Sequence, residues 1–88
     1  SFMSYPVYNS ATVLAASTAA SIPNNKGLLI VNTHGSAVGT AVVYPTTPDG
    51  SRGTAITISI AAAVAPVIFP VRIHSTGAYS NVGVYELT

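Results

Sequence analysis

The stretch ITISIAAAVAPVIFPV, Ile56 to Val71, lies in a run without any charged side chain from Gly53 to Val71. It can be a membrane span, a buried helix or two strands, and the choice decides the fold. A spanning helix needs ~20 predominantly apolar residues. Here Thr57 and Ser59 interrupt the run, and Pro66 and Pro70 would each remove a helical hydrogen bond and crowd the preceding turn. The period points the same way. Ile56, Ile58 and Ile60 alternate with Thr57 and Ser59, the two-residue rhythm of a half-buried strand. After the small-residue link AAAVAP a second alternation begins, with Val67, Phe69, Val71 and Ile73 on one side and Ile68, Pro70, Arg72 and His74 on the other. The pattern predicts two strands joined by a corner. Pro70 cannot donate to a ladder, which places the second strand at an edge or leaves its Pro70 side unpaired.

The flanking sequence follows the same rhythm. The turn cluster Pro23-Asn24-Asn25-Lys26-Gly27 opens a strand over Leu28 to Thr33, apolar on both faces at its start as in the centre of a sandwich. Gly35-Ser36 turns into a strand over residues 37–44, with Val38, Thr40, Val42 and Tyr44 opposite Ala37, Ala41 and Val43. In PTTPDGSRGT the Pro-Asp-Gly core is a turn, because proline presets one dihedral and glycine accepts a positive one. STGAYS, residues 75–80, is expected to be a loop, and NVGVYELT a closing strand. The expected fold is all-β, a small antiparallel β-sandwich or barrel of about 5–7 strands with an extended N-terminal segment. Residues 1–26 are expected to form an extended arm or first strand and residues 27–88 the core, within a single domain. Near Thr12 to Ala16 a strand competes with a short Ala-rich helix, which Ser/Thr density and the lack of an apolar stripe disfavour.

Charge is scarce: Lys26, Asp49, Arg52, Arg72 and Glu86 are the charged residues of an 88-residue chain, 6%, against a typical ~25%. Polarity comes instead from Ser, Thr and Asn, 25 residues in all. So neutral a surface gives copies little mutual repulsion, and so small a domain benefits from a partner. An assembly subunit is the reading this favours over a lone hydroxyl-coated monomer. Three scattered cations cannot track a phosphate backbone, so no nucleic-acid partner is expected. No membrane partner is expected either. The first 25 residues are uncharged and hold no cationic start for a secretory signal. Cysteine is absent, which excludes disulfides and thiolate metal sites.

Catalytic constellations are thin. No GxSxG elbow exists, since GSAVG at 35–39 puts its serine in the wrong place, and the two acids give a Ser-His-acid triad little to draw on. Glycoside hydrolysis asks for two carboxylates flanking one bond. Asp49 sits in a turn where it would bond local amides, while Glu86 lies near the terminus. His34 and His74 stand at strand exits without a second ligand at short spacing. Symmetry-related copies of one histidine are the remaining route to a metal. GSRGT, residues 50–54, lacks the ending of a phosphate loop and is read as a hairpin tip. No enzyme activity, cofactor or metal is therefore expected. Among the tyrosines, Tyr44 and Tyr85 fall inside strands, leaving Tyr79 as the candidate for ligand stacking apart from those of the N-terminal segment.

The segments ATVLAASTAAS, NNKGLLIVNTHGSAVGTAVVY, ITISIAAAVAPVIFPVRI and GVYELT resemble in texture the small β-rich structural proteins of tailed bacteriophages, the head-decoration or cement class, over residues 11–88. The likeness consists of apolar alternation, glycine turns, few charges and no cysteine. It carries no signature residue, so no site residue transfers. It implies a virion protein on the outer capsid surface that binds the major capsid protein and itself, often as a trimer. Candidate protein contacts are Tyr5 and Tyr8 on the N-terminal segment and Asp49 and Arg52 in the loop 45–53. The alternative is a carbohydrate- or receptor-binding sandwich of a fibre or tail, and a small hydrolase is a third class.

Overall fold

The computed structural model describes residues 7–88, and all its regular structure is β. Seven strands follow in chain order: β1 (Ala11–Val13), β2 (Gly27–Asn32), β3 (Gly39–Pro45), β4 (Ile56–Ile60), β5 (Val67–Phe69), β6 (Ile73–Ser80) and β7 (Val82–Leu87). They form two antiparallel sheets, one ordered β1-β7-β2-β5 and the other β4-β3-β6. The fold is a β-sandwich. No helix among the described residues is long and apolar enough to cross a membrane.

The alternation of β4 works as its sequence predicts. Ile60, Ile58 and Ile56 lie opposite Gly39, Ala41 and Val43 of β3, and Thr57 and Ser59 opposite Val42 and Thr40. Ile60 is buried in the core and Ile58 packs against it, while Thr57 and Ser59 stay exposed. Leu28, Ile30 and Val84 of one sheet meet Ala41, Val43, Ile60 and Ile73 of the other. The link AAAVAP carries the chain from one sheet to the other, so β4 and β5 are edge strands of different sheets.

Two expectations are corrected. The alternation from Val67 to His74 is broken, because β5 stops at Phe69 and β6 begins at Ile73 in the opposite sheet. The backbone N–H of Val71 donates to the carbonyl of Phe69 at 2.9 Å. This is a three-residue turn centred on Pro70, whose fixed φ suits the turn and whose missing N–H cannot continue the ladder. Val71 is accordingly exposed, whereas Ile73 is fully buried. The second correction concerns STGAYS, which is most of β6, the longest strand, and no loop. Ser75 and Thr76 are buried there. Register shifts against β3 mark a bulge around Val42, where a Cβ on Gly77 would come within 2.9 Å of a Val42 methyl.

The N-terminal segment explains how the Thr76 hydroxyl is tolerated, while that of Ser75 meets His74 Nδ1. The Leu14 N–H bonds Val84, the Ser17 N–H bonds Gly77, the Thr76 N–H bonds Thr18 and the Ile22 N–H bonds His74. The chain therefore leaves the β7 edge, runs beside the outer edge of β6, and returns to β7 through the Lys26 N–H bond to Leu87. Thr76 Oγ1 accepts from the Thr18 N–H at 2.9 Å and donates to the Ala15 carbonyl at 3.0 Å. Leu14 and Ile22 seal the core from this side. Asn25, 4% exposed, replaces a strand: its Nδ2 donates to the Ile73 carbonyl at 2.7 Å and its Oδ1 accepts from the Ile73 N–H at 2.9 Å.

Candidate docking surface

Alternation along β2 and β7 gives the β1-β7-β2-β5 sheet two faces. Leu28, Ile30 and Val84 face inward, so Leu29, Val31, Gly83 and Tyr85 face outward. The register then places Val13, Tyr85, Leu29 and Ile68 in one row across all four strands on the outside. Val31 and Gly83 form the next row. No charged residue stands among these six positions, and the only polar atom their side chains offer is the Tyr85 hydroxyl. Val13 is 73% and Ile68 49% exposed, while Leu29, Tyr85 and Val31 are half-buried. An outer sheet face ordinarily carries polar side chains against water. The opposite sheet does so, with Thr40 beside Ser59 and Ser80, and Thr57 beside Val42.

The exposed row is the other half of the two-faced apolar run that opens β2. The sequence showed LLIV as apolar on both faces and suggested a central strand covered on both sides. Among the described residues only the inner face is fully covered, and Leu29 and Val31 on the outer face stay half-buried.

The loop 45–53 is a braced hairpin tip. Asp49 Oδ1 accepts from the Thr47 hydroxyl and, at 3.0 Å, from the Ser51 N–H. The Thr47 N–H reaches the Ser51 carbonyl at 2.8 Å, and Gly50 and Gly53 N–H groups bond Thr47 and Pro45. Bonds from Thr47 and Ser51 hold the Asp49 carboxyl down to about 2. The guanidinium of Arg52 lies over the Tyr44 ring, 4.7 Å from its centroid, on the hydroxyl-rich side of the molecule. Asp49 and Arg52 thus belong to one preorganised tip, apart from the apolar row.

The remaining candidates scatter. Tyr5 lies outside the described residues, and Tyr8 is half-buried. Tyr79 packs against the core within β6 and donates its hydroxyl to the Ala15 carbonyl at 3.2 Å; burial raises its pKa, partly offset by Thr76. Its ring is a structural contact on one side and no free platform. His34 Nδ1 accepts from the N–H groups of Ser36 and Ala37, which braces the loop after β2. His74 contacts the Ser75 hydroxyl at 3.1 Å. Among the described residues no cluster of three or more His, Asp or Glu is assembled. Glu86 lies on β7 opposite Thr12 and Leu28, in the other sheet from the Asp49 hairpin.

The chain matches no protein-family model, no curated protein and no solved structure.

Proposed function

We propose that this protein is a non-enzymatic structural component of a virus particle, a decoration protein on the outer head surface of a tailed phage. It would bind the major capsid protein through the outer face of the β1-β7-β2-β5 sheet and associate with copies of itself. The observation that carries this reading is the row Val13-Tyr85-Leu29-Ile68, apolar and free of charge, with Val13 and Ile68 exposed and no strand of the described residues packed over it. The textural likeness to phage cement proteins supplies the kind of partner.

The energetics suit such a role. Burying the exposed parts of Val13 and Ile68 contributes on the order of 1–2 kcal/mol each at about 25 cal/mol per Å². One copy would hold weakly. Many copies, linked to one another on a lattice, would hold through effective concentration. With little charge at the contact, screening has little to act on, so attachment should persist at high salt. The braced tip bearing Asp49 and Arg52 and the N-terminal residues Tyr5 and Tyr8 are secondary contact points in this scheme.

Mass spectrometry of purified tailed particles from the source of this gene, with gold-labelled antibody against the chain, tests the proposal. Peptides of the chain in many copies per particle, with label over the heads, are expected. Particles that lack the chain, or label confined to tail tips, would refute it.

A further inference from the structure

The outer edges of the sandwich are protected unequally. The outer edge of β6 is covered by residues 17–22. β1 has three residues, and so has β5, which lies between Pro66 and Pro70. β4 has none of the usual devices. It is five residues long, carries no charge, proline or bulge, and its outer edge makes no backbone hydrogen bond to any described residue. An apolar edge of this kind is a template for another strand.

We propose that β4 pairs with β4 of a second copy of this chain about a two-fold axis through Ile58. The segment Ile56-Thr57-Ile58-Ser59-Ile60 has the same polarity pattern in both directions. Antiparallel pairing with itself therefore sets Ile56 against the partner's Ile60 on the core side and Thr57 against the partner's Ser59 on the outside, apolar on apolar and hydroxyl on hydroxyl. The neighbouring cation, Arg52, lies six residues from the axis, so the two copies of it end up ~40 Å apart at a strand rise of ~3.3 Å. Charge does not oppose the contact.

The flank around β4 is apolar as well. Ile56, which begins β4, is 39% exposed, Val64 in the AAAVAP link 49% and Val67, which begins β5, 37%. A two-fold axis normal to the sheets brings this whole flank against its copy and extends the β4-β3-β6 sheet to twice its width. The area is modest. An edge of ~17 Å across two layers buries roughly 700–900 Å² over both copies, below the ~1,200–2,000 Å² of stable complexes. The pair is thus weak and concentration-dependent in solution, and reinforced wherever copies are held side by side. It does not depend on what the apolar row of the other sheet binds.

Sedimentation equilibrium across a concentration series tests it, using wild type, Thr57→Lys/Ser59→Lys and Thr57→Glu/Ser59→Glu. Both positions are exposed, so the fold stays intact, which circular dichroism checks. Wild type should show a monomer–dimer equilibrium. Each double variant sets like charges directly opposite across the axis and should weaken self-association at least about tenfold. An equimolar mixture of the two should restore the dimer through opposite charges. A wild type that stays monomeric throughout, a dimer that the Lys pair leaves unchanged, or a mixture that fails to associate overturns the pairing.

Discussion

Asn25→Ala tests how the N-terminal segment is bound into the sandwich. The Asn25 side chain exchanges two hydrogen bonds with the backbone of Ile73, at 2.7 and 2.9 Å, in a buried setting. Truncation therefore strands a buried N–H and a buried carbonyl together. Each orphaned group costs about 1–3 kcal/mol, and together they should lower stability by about 2–6 kcal/mol. That is a large share of the total for a domain this small. Urea unfolding followed by circular dichroism reads the loss. At an m of about 1 kcal/mol/M the midpoint should fall by ~2–6 M, or the variant should be unfolded without urea. Asn24→Gly is the control: Asn24 has φ 49° and is exposed, so glycine there should change stability by less than ~1 kcal/mol. A loss under ~1 kcal/mol for Asn25→Ala would show that water or a rearranged loop replaces both bonds, and that residues 14–26 are not fastened as described.

The three isoleucines of β4 should separate by depth. Ile60→Ala should cost about 2–5 kcal/mol, and Ile56→Ala, at the open end of the strand, less than ~1 kcal/mol, both read by urea unfolding. Asp49 has a folded pKa of about 2 against an ordinary 3.8, so its contribution is present above pH ~4 and lost as pH falls toward 2. Carboxyl titration by NMR should give a midpoint near 2, and Thr47→Ala should move it up. Deleting residues 1–10 should weaken attachment to particles and remove the backbone bonds of Asn9 and Ser10 to Thr88, yet keep the β1–β7 pairing from Ala11 onward; strand amide exchange in the truncated chain checks the second half.

Much of the sandwich was legible because β4 obeys a local rule, one face apolar and one hydroxylated, and because Pro-Asp-Gly can only turn. Pro70 called for an edge strand or an unpaired Pro70 side, and β5 is an edge strand that stops just before it. The failures share one physical cause. Ser75, Thr76 and Gly77 look like a loop, but their strand is stabilised by partners far along the chain, such as the Ala15 carbonyl 61 residues from Thr76. Likewise the alternation across Val67–Ile73 continues unbroken in sequence, while the turn at Pro70 sends its two halves to different sheets. Asn25 reads as a turn residue, and only the tertiary position of Ile73 reveals it as a substitute strand. The apolar outer row was half visible in LLIV. Assigning it to the outside required the register of β7 and β1.

Cosedimentation of the purified chain with decoration-free phage heads tests the docking face most directly, comparing wild type with Val13→Asp/Ile68→Asp from about 0.1 M to about 1 M salt. Wild type should pellet with the heads equally well across that range, and the folded double variant should remain in the supernatant. Heads that retain the double variant as well as wild type, or wild-type binding that disappears as salt rises, would contradict attachment through this apolar row.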